Sequence, residues 1–567
     1  MVRTIIESIA APIRRVAAPI RGLHQAAYLL AGLTLASQLL ALLRDRLFAH
    51  HFGAGQTLDL YYAAFKVPDI VFALVASLVS AYVLIPRIAG EGKADAKRLI
   101  SETTSFLLLG GGVLCAVLAV FAPFFLFQLF PAFKNLPEAA SFVFLSRLLL
   151  VQPILLGLSG IFTSVTQVNR RFVLFALSPV LYNVGIIIGT VFLYPIYGLP
   201  GIGYGVIGGA IAHLLIHVPV LAQAKLLPRL VLPKAKTIWP VIKDSVPRSL
   251  ALGMGSLSML ALTTLAARSG EGGISVFTLG ANLASVPLAL IGASYATAAF
   301  PVMAEHMGAK RFDEFKTTLV TAARHIIFWS AIASVLILVL RAHLVRIILG
   351  SGAFDWDATR LTAAILATLA LALMAQGLVL LASRAFYAAN RSWNPLLIQS
   401  AGAVVSVLGA GGMLMLASAY PQVRFFFESL FRIGDIPGAE IVLIAVGSSI
   451  GQLVMGVLAL VTLGRVAPRV GRSLIRPMSE GMAAAIMGGA AAYGVLSFVG
   501  NLAPLTTLVT VFAEGFLAGM VGLIVAAAVL ALLANQEFRD LVDSLRKLTS
   551  TKALKPYGSP IDNALND

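Results

Sequence analysis

About fourteen stretches of roughly 20 apolar residues, each bounded by charge, glycine or proline, succeed one another along the chain. They fall near 26–47, 68–89, 105–130, 141–165, 172–194, 201–224, 249–267, 275–303, 325–347, 361–383, 396–419, 440–463, 477–499 and 506–534. A stretch of that length spans a bilayer as a helix, because in hydrocarbon the backbone must satisfy its own hydrogen bonds. Soluble cores cannot absorb so many runs: 59% of the 567 residues are hydrophobic, only 12% are charged, and mean hydropathy is +0.92. The expectation is an all-α polytopic membrane protein.

The net charge of +17 is unevenly placed. Basic residues gather in alternate loops: Arg87 to Arg98, Arg170 with Arg171, Lys225 to Arg248, Lys310 to Lys316, Arg384 with Arg391, and Arg465 to Arg476. The N-terminal segment (Arg14, Arg15, Arg21) and the tail (Arg546, Lys547) belong to the same set. Positive charge beside spans marks the cytoplasmic side, so both termini are expected there. The intervening loops are nearly uncharged, as at 194–201, or balance cations with acids, as Lys134 with Glu138 and Arg268 with Glu271.

Several classes drop out. No loop joins a basic patch to interleaved aromatics, which excludes nucleic acid as a partner. Cys115 is the only cysteine, so disulfides and cysteine-based metal sites are excluded. The histidines lack metal spacing; His213 and His217 are four apart but have no third ligand in sight. Residues 1–21 are too polar for a signal peptide's apolar region. No phosphate-binding Gly-rich Lys-Ser/Thr motif is present, so no ATPase, cofactor or metal is expected. Work then comes from the membrane potential, a monovalent cation gradient, or removal of substrate on the far side.

Two internal echoes indicate duplication. Val79 to Pro86 with its following loop resembles Tyr295 to Pro301 with its own, and 162–179 resembles 386–395. The expected organisation is a cytoplasmic segment (1–24), a first lobe of six helices (25–228), a cytoplasmic linker (229–248), a second six-helix lobe (249–465), two extra helices (466–535) and a cytoplasmic tail (536–567), with a cavity between the lobes. The tail's Phe538, Leu541, Leu545 and Leu548 have helical spacing and predict an amphipathic helix, followed by disorder. Residues 420–440 predict a short interfacial helix. Gly110–Gly112, Gly409–Gly412 and Gly488–Gly489 read either as hinges for alternating access or, by default, as close helix packing. Pro86, Pro179 and Pro301 read as kinks, either used in rocking or repaired by neighbouring helices.

Arg44-Asp45-Arg46, then Phe52-Gly53-Ala54-Gly55, Asp59 and Phe65-Lys66-Val67-Pro68, in this order, resemble the start of the MurJ/MviN lipid II flippase family, within the multidrug, oligosaccharidyl-lipid and polysaccharide exporter (MOP, MATE-like) superfamily. Arg171-Phe172 through Ser178-Pro179 to Asn183, and Phe386-Tyr387-Ala388 leading to Asn394-Pro395, agree with it. The resemblance implies a flippase for a polyprenyl-diphosphate-linked saccharide in a bacterial plasma membrane, acting as a monomer by alternating access in cell-wall biogenesis. Such a carrier needs cations in a wet cavity, and arginine's planar fork suits phosphate.

Arg44 is the first expected ligand of the diphosphate, oriented by Asp45, against the plainer reading that Arg44 and Arg46 snorkel to the interface. Arg46 is read as that anchor. Lys66 is either a phosphate neutraliser at the mouth or a solvated loop lysine; Arg147 matches a position often basic in the family; Arg268 is a further cation or only a partner of Glu271. Asp59 completes the set. The chain departs from the pattern where family cavity charges fall on Gln38, Phe72, Ala281-Asn282 and Ser77-Leu78. Either Gln38, Asn282 and Arg268 substitute in a flippase with fewer cations, or the scaffold serves another polyprenyl-linked glycan, a cation-coupled drug export, or the recruitment of cell-wall synthesis proteins without transport. Glu480 and Glu514 are the intramembrane carboxylates that drug export would use.

Overall fold

The computed structural model describes residues 23–79, 81–90, 92–468, 470–500 and 507–549. Arg14, Arg15, Arg21, Arg469 and the expected disorder after the tail helix lie outside the described residues. Among the described residues the chain is helical, without a strand.

Among the described residues eleven helices are long and apolar enough to cross a membrane, or twelve if Trp356–Ala370 and Leu373–Ala388, bent by 50°, form one span. Two further segments take the remaining places in the expected series. They are α1 (Leu23–Phe52) and a broken run of α2 (Gln56–Ala64), α3 (Lys66–Leu74) and α4 (Ala81–Gly90). The others are α5 (Lys93–Leu129), α6 (Ala139–Val168), α7 (Phe172–Tyr197), α8 (Leu199–Ala224), α9 (Ala235–Ser269), α10 (Gly273–Gly308), α11 (Phe312–Ile348), α12 (Trp356–Ala370) and α13 (Leu373–Ala388). After these come α14 (Trp393–Ala419), the short α15 (Pro421–Phe431), α16 (Ile441–Leu463), α17 (Val470–Val499), α18 (Leu508–Leu532) and the tail helix α19 (Gln536–Thr549).

The second span corrects the sequence reading, because it begins at Gln56 rather than near 68. Asp59, Lys66 and Asp69 break the apolar window, yet Asp59 and Lys66 are buried and Asp69, half-buried, faces an internal cavity beside Lys66, so no apolar run is required. Lys66 is therefore no solvated loop residue; it is helical and 7% exposed.

The duplication is visible in the packing. In the first half α1 lies on α7, α7 on α8, and α6 on α8; in the second α9 lies on α14, α14 on α16, and α13 on α16. The echo carrying Pro86 packs on α6 as the one carrying Pro301 packs on α13. Matching helix ends also recur: Arg170, Lys310 and Asn390 have φ of 55°, 58° and 56°, and in each case the next amide reaches back to a carbonyl five residues earlier, closing the helix. α17 and α18 pair with each other and rest on α11, outside the repeat.

Small residues allow the tightest crossings. A Cβ on Gly205 of α8 would lie 2.4 Å from the Gly189 Cα of α7, and one on Gly447 of α16 would lie 2.2 Å from the Ala410 nitrogen of α14. Gly488 meets Gly522 in the same way, whereas of 110–112 only Gly111 touches another helix, at Ile154. Pro179, inside α7, leaves the Phe175 carbonyl without its usual donor; the Ser178 hydroxyl supplies one at 2.8 Å.

Candidate functional site

The two lobes are latched at the end opposite the basic loops. The Asp59 carboxylate, 2% exposed, accepts from the Gly272 amide (2.8 Å), the Ser275 amide (2.7 Å) and the Ser275 hydroxyl (2.5 Å), so a residue of the first lobe closes the N-terminus of α10 in the second. Backbone amides at a helix N-terminus are unpaired and partly positive, which is what a carboxylate satisfies. Asp59 thus belongs to the joint between lobes, not to a substrate-facing wall. Arg46 donates to the Ile347 (2.6 Å) and Ile348 (3.2 Å) carbonyls at the C-terminal end of α11, so it bridges the lobes and is not a lipid-interface anchor.

Main-chain contacts complete the latch. Gly53, Gly272 and Gly352 all have positive φ, and a Cβ on Gly272 would lie 2.1 Å from the Ala54 oxygen. The Ala353 amide donates to the His50 carbonyl at 3.0 Å. Gln56 takes the loop acids: its amide donates to Glu271 (3.2 Å) and its side chain to Glu138 (2.7 Å). Among the described residues the expected pairs of Lys134 with Glu138 and of Arg268 with Glu271 do not form. Beside this end, Arg360 grips the Asp435 carboxylate with both nitrogens, at 2.6 and 2.7 Å, and those bonds hold the Asp435 carboxyl below the usual carboxylate range.

Toward the basic end the lobes meet through α9, which packs on α3, α4 and α5 and whose Asp244 accepts from Arg87 at 2.6 Å, while the start of α1 stays uncovered. No residue from 32 to 43 of α1 is buried, whereas Asp45, Phe48 and Ala49 are, and the second half of α10 packs on α11 and α13 of its own lobe.

Between the latch and the uncovered part of α1 lies a polar cluster. Arg44 donates through Nε and a terminal nitrogen to Asp45 Oδ1 (3.0 and 2.8 Å) and through the other terminal nitrogen to Asn183 Oδ1 (3.1 Å). Asn282 Nδ2 donates to Asp45 Oδ2 at 3.0 Å. Three helices, α1, α7 and α10, are thereby joined, and two of the five guanidinium N–H groups have no partner among the described residues. The guanidinium also lies 5.9 Å from the Phe48 ring centre. Tyr61 and Tyr62 of α2 and Tyr182 of α7 are within electrostatic range of Arg44, and Tyr182 accepts from Gln152 at 2.9 Å.

Lys66 and Asp69 line a cavity of about 390 Å³ between α3 and α9, together with Phe72 and Gly255. The position at which the family pattern has a basic residue is thus an apolar wall of this cavity. A second cavity of about 230 Å³ lies within the second lobe and shares Gly255 and Met259 with the first.

Of the candidate residues, the structure brings Arg44, Asp45 and Asn282 together, and sets Lys66 on the neighbouring cavity. Gln38 is half-buried on α1 without joining the cluster. Arg147 is exposed and donates to the Ala119 carbonyl of α5, and Arg268 is exposed near the latch; neither joins Arg44. Glu480 is held by Arg476 and Asn535, and Glu514 meets His343 of α11 at 3.1 Å, both remote from the cavity. His217 bonds Thr163 and Thr166, and among the described residues no group could hold a metal. The sequence reading passed over Tyr61, Tyr62, Gln152 and three mid-span glutamines, Gln376, Gln399 and Gln452; polar side chains inside apolar runs were the available signal.

The family model described as lipid II flippase MurJ matches residues 48–513. The lipid II flippase MurJ of Burkholderia cenocepacia is 25% identical over 399 residues, covering 68% of this chain and 77% of that protein. A probable lipid II flippase MurJ of Thermotoga maritima is 25% identical, covering 70% and 83%. Among solved structures, a lipid II flippase MurJ in an inward closed conformation superposes with a TM-score of 0.71 at 19% identity, over 91% of this chain and all of that one. A multidrug resistance MATE family transporter of the MOP superfamily, inward-facing, gives 0.59 at 16% identity over 79% of this chain and 98% of its own; these two likenesses concern the fold.

Proposed function

The chain belongs to the lipid II flippase MurJ family, and from that premise we propose that it carries lipid II across a bacterial plasma membrane by alternating access. It is then a transporter and not an enzyme. The match of the family model to residues 48–513 carries this reading, and it is supported by the latch between the lobes at the end opposite the basic loops and by the uncovered start of α1. Basic loops beside spans face the cytoplasm, so this arrangement receives cargo from the inner leaflet.

Arg44 offers its two free N–H groups to the diphosphate, while Asp45, held by Asn282, fixes the fork. Lys66 adds a second cation one lobe face away. Asp45 and Asp69 offset both cations, so the site is close to charge-neutral before the lipid enters. Release of the latch at Asp59 and closure of the basic end then deliver the headgroup outward. An inside-negative potential favours that direction by about 2.3 kcal/mol per net negative charge per 100 mV.

Complementation of a strain depleted of its own lipid II flippase tests the reading. The intact chain is expected to rescue growth and Arg44→Ala is not, with both present in the membrane at equal levels. Failure of the intact, inserted chain would overturn lipid II as the cargo.

A further inference from the structure

The cavity within the second lobe has an unusual lining. Gln376, Gln399, Gln452, Ser258, Ser406 and Ser448 surround it, with Met259 and Met455 as apolar walls, and no lining residue is charged. The amides are partly committed: Gln376 Nε2 donates to Gln452 Oε1 at 2.6 Å, and Gln452 Nε2 reaches Ser448 Oγ at 3.4 Å. That leaves the Gln376 carbonyl, the whole Gln399 amide and the Ser258 hydroxyl for a guest.

Chemistry narrows the guest. An anion would find no cation here and a metal ion no carboxylate, whereas a neutral group bearing hydroxyls and amides finds both donors and acceptors beside an apolar surface. The volume of about 230 Å³ holds about seven waters at ~30 Å³ each, or one sugar ring in their place.

Position points the same way. On α10, Asn282 binds Asp45 while Ala281, Ala284 and Ser285 face this cavity, so it adjoins the Arg44 cluster. Its window to the space beside Lys66 passes Gly255, where a Cβ would meet nothing within 4 Å. We propose that this cavity is a subsite for a neutral, N-acylated sugar ring of the carried lipid, held by Gln376, Gln399 and Gln452 while the diphosphate stays at Arg44 and Lys66. The proposal rests on the flippase reading above.

Binding to the full chain in lipid nanodiscs tests it, with three probes: lipid II, the same lipid-linked disaccharide without its peptide, and undecaprenyl diphosphate. The intact protein is expected to bind both sugar-bearing lipids at least about tenfold more tightly than undecaprenyl diphosphate. The double change Gln376→Leu with Gln452→Leu should erase that margin and leave undecaprenyl diphosphate binding unchanged. Ala403→Leu, which fills this cavity from α14 without touching an amide or the space beside Lys66, should do the same. Equal affinity of the intact protein for all three lipids, loss of the margin when the peptide is removed, or variants that keep the margin or weaken every lipid alike would each overturn the subsite. An intact protein that binds none of the three overturns the flippase reading, and the subsite with it.

Discussion

Replacing Asp59 by Asn tests the latch with almost no change of shape. The carboxylate accepts three hydrogen bonds, two through Oδ1 from Ser275 and one through Oδ2 from the Gly272 amide. An Asn in the same rotamer keeps the Oδ1 pair as neutral bonds but turns an N–H toward the Gly272 amide. A charge-assisted bond of this kind is worth about 1.5–3 kcal/mol, and the lost interaction with the α10 dipole adds up to about 1 kcal/mol. Taking about 2 kcal/mol as the net loss, the ratio of parted to latched molecules should rise roughly thirtyfold. Ser275→Ala removes only the hydroxyl bond and should give about fivefold, near 1 kcal/mol. The assay is a spin-label distance distribution in nanodiscs with Lys134→Cys and Asp357→Cys, one in each lobe and both exposed, on a Cys115→Ser background. A long-distance population that grows in the order intact, Ser275→Ala, Asp59→Asn is expected. An unchanged distribution in Asp59→Asn would refute the reasoning, since it would mean that this carboxylate does not hold the lobes together.

Three more outcomes follow from the geometry. Gly205→Ala forces a Cβ to 2.4 Å from Gly189 and should cost about 2 kcal/mol or more, read as a fall in detergent melting temperature, while Gly208→Ala, whose Cβ meets nothing within 4 Å, should be silent. Asn282→Leu removes a donor from Asp45 without touching Arg44, so transport should fall by about tenfold in a liposome flipping assay and Asn282→Gln should recover part of it; equal activity of all three proteins would dismiss the cluster. The Arg360 grip on Asp435 lowers that carboxyl's folded pKa, so its contribution is complete above the ordinary carboxylate value and fades as pH falls through the lower folded one. Amide exchange in 432–440 should therefore accelerate in acid, after correction for intrinsic rate, and Arg360→Gln should show the faster exchange already at neutral pH.

Periodicity and apolar length made the helical class and most spans legible, because lipid-facing helices must advertise themselves in composition. They failed at the second span for the same reason, since Asp59, Lys66 and Asp69 are shielded by protein and the rule describes only what touches lipid. The Arg44-Asp45 pair was visible as adjacent charges in an apolar run. Its partners Asn183 and Asn282 lie 139 and 237 residues away from Arg44 and Asp45 respectively, and no local pattern reports such a meeting. Arg46 shows the opposite limit: its sequence context fits lipid snorkelling, and only the position of α11 reveals the carbonyls that it binds.

Much of the latch is written in main-chain atoms: an Ala54 oxygen against Gly272, an Ala353 amide on the His50 carbonyl, two amides on Asp59. Such a seam places few demands on side-chain identity. Within the latch, a deep mutational scan should find Gln56, Arg268 and Glu271 permissive and intolerance concentrated at Asp59, Ser275, Arg46 and three glycines with positive φ, Gly53, Gly272 and Gly352. Under the flippase reading, the surface that faces the cargo, with Phe72 and Asn282 in it, can then change while the latch is kept.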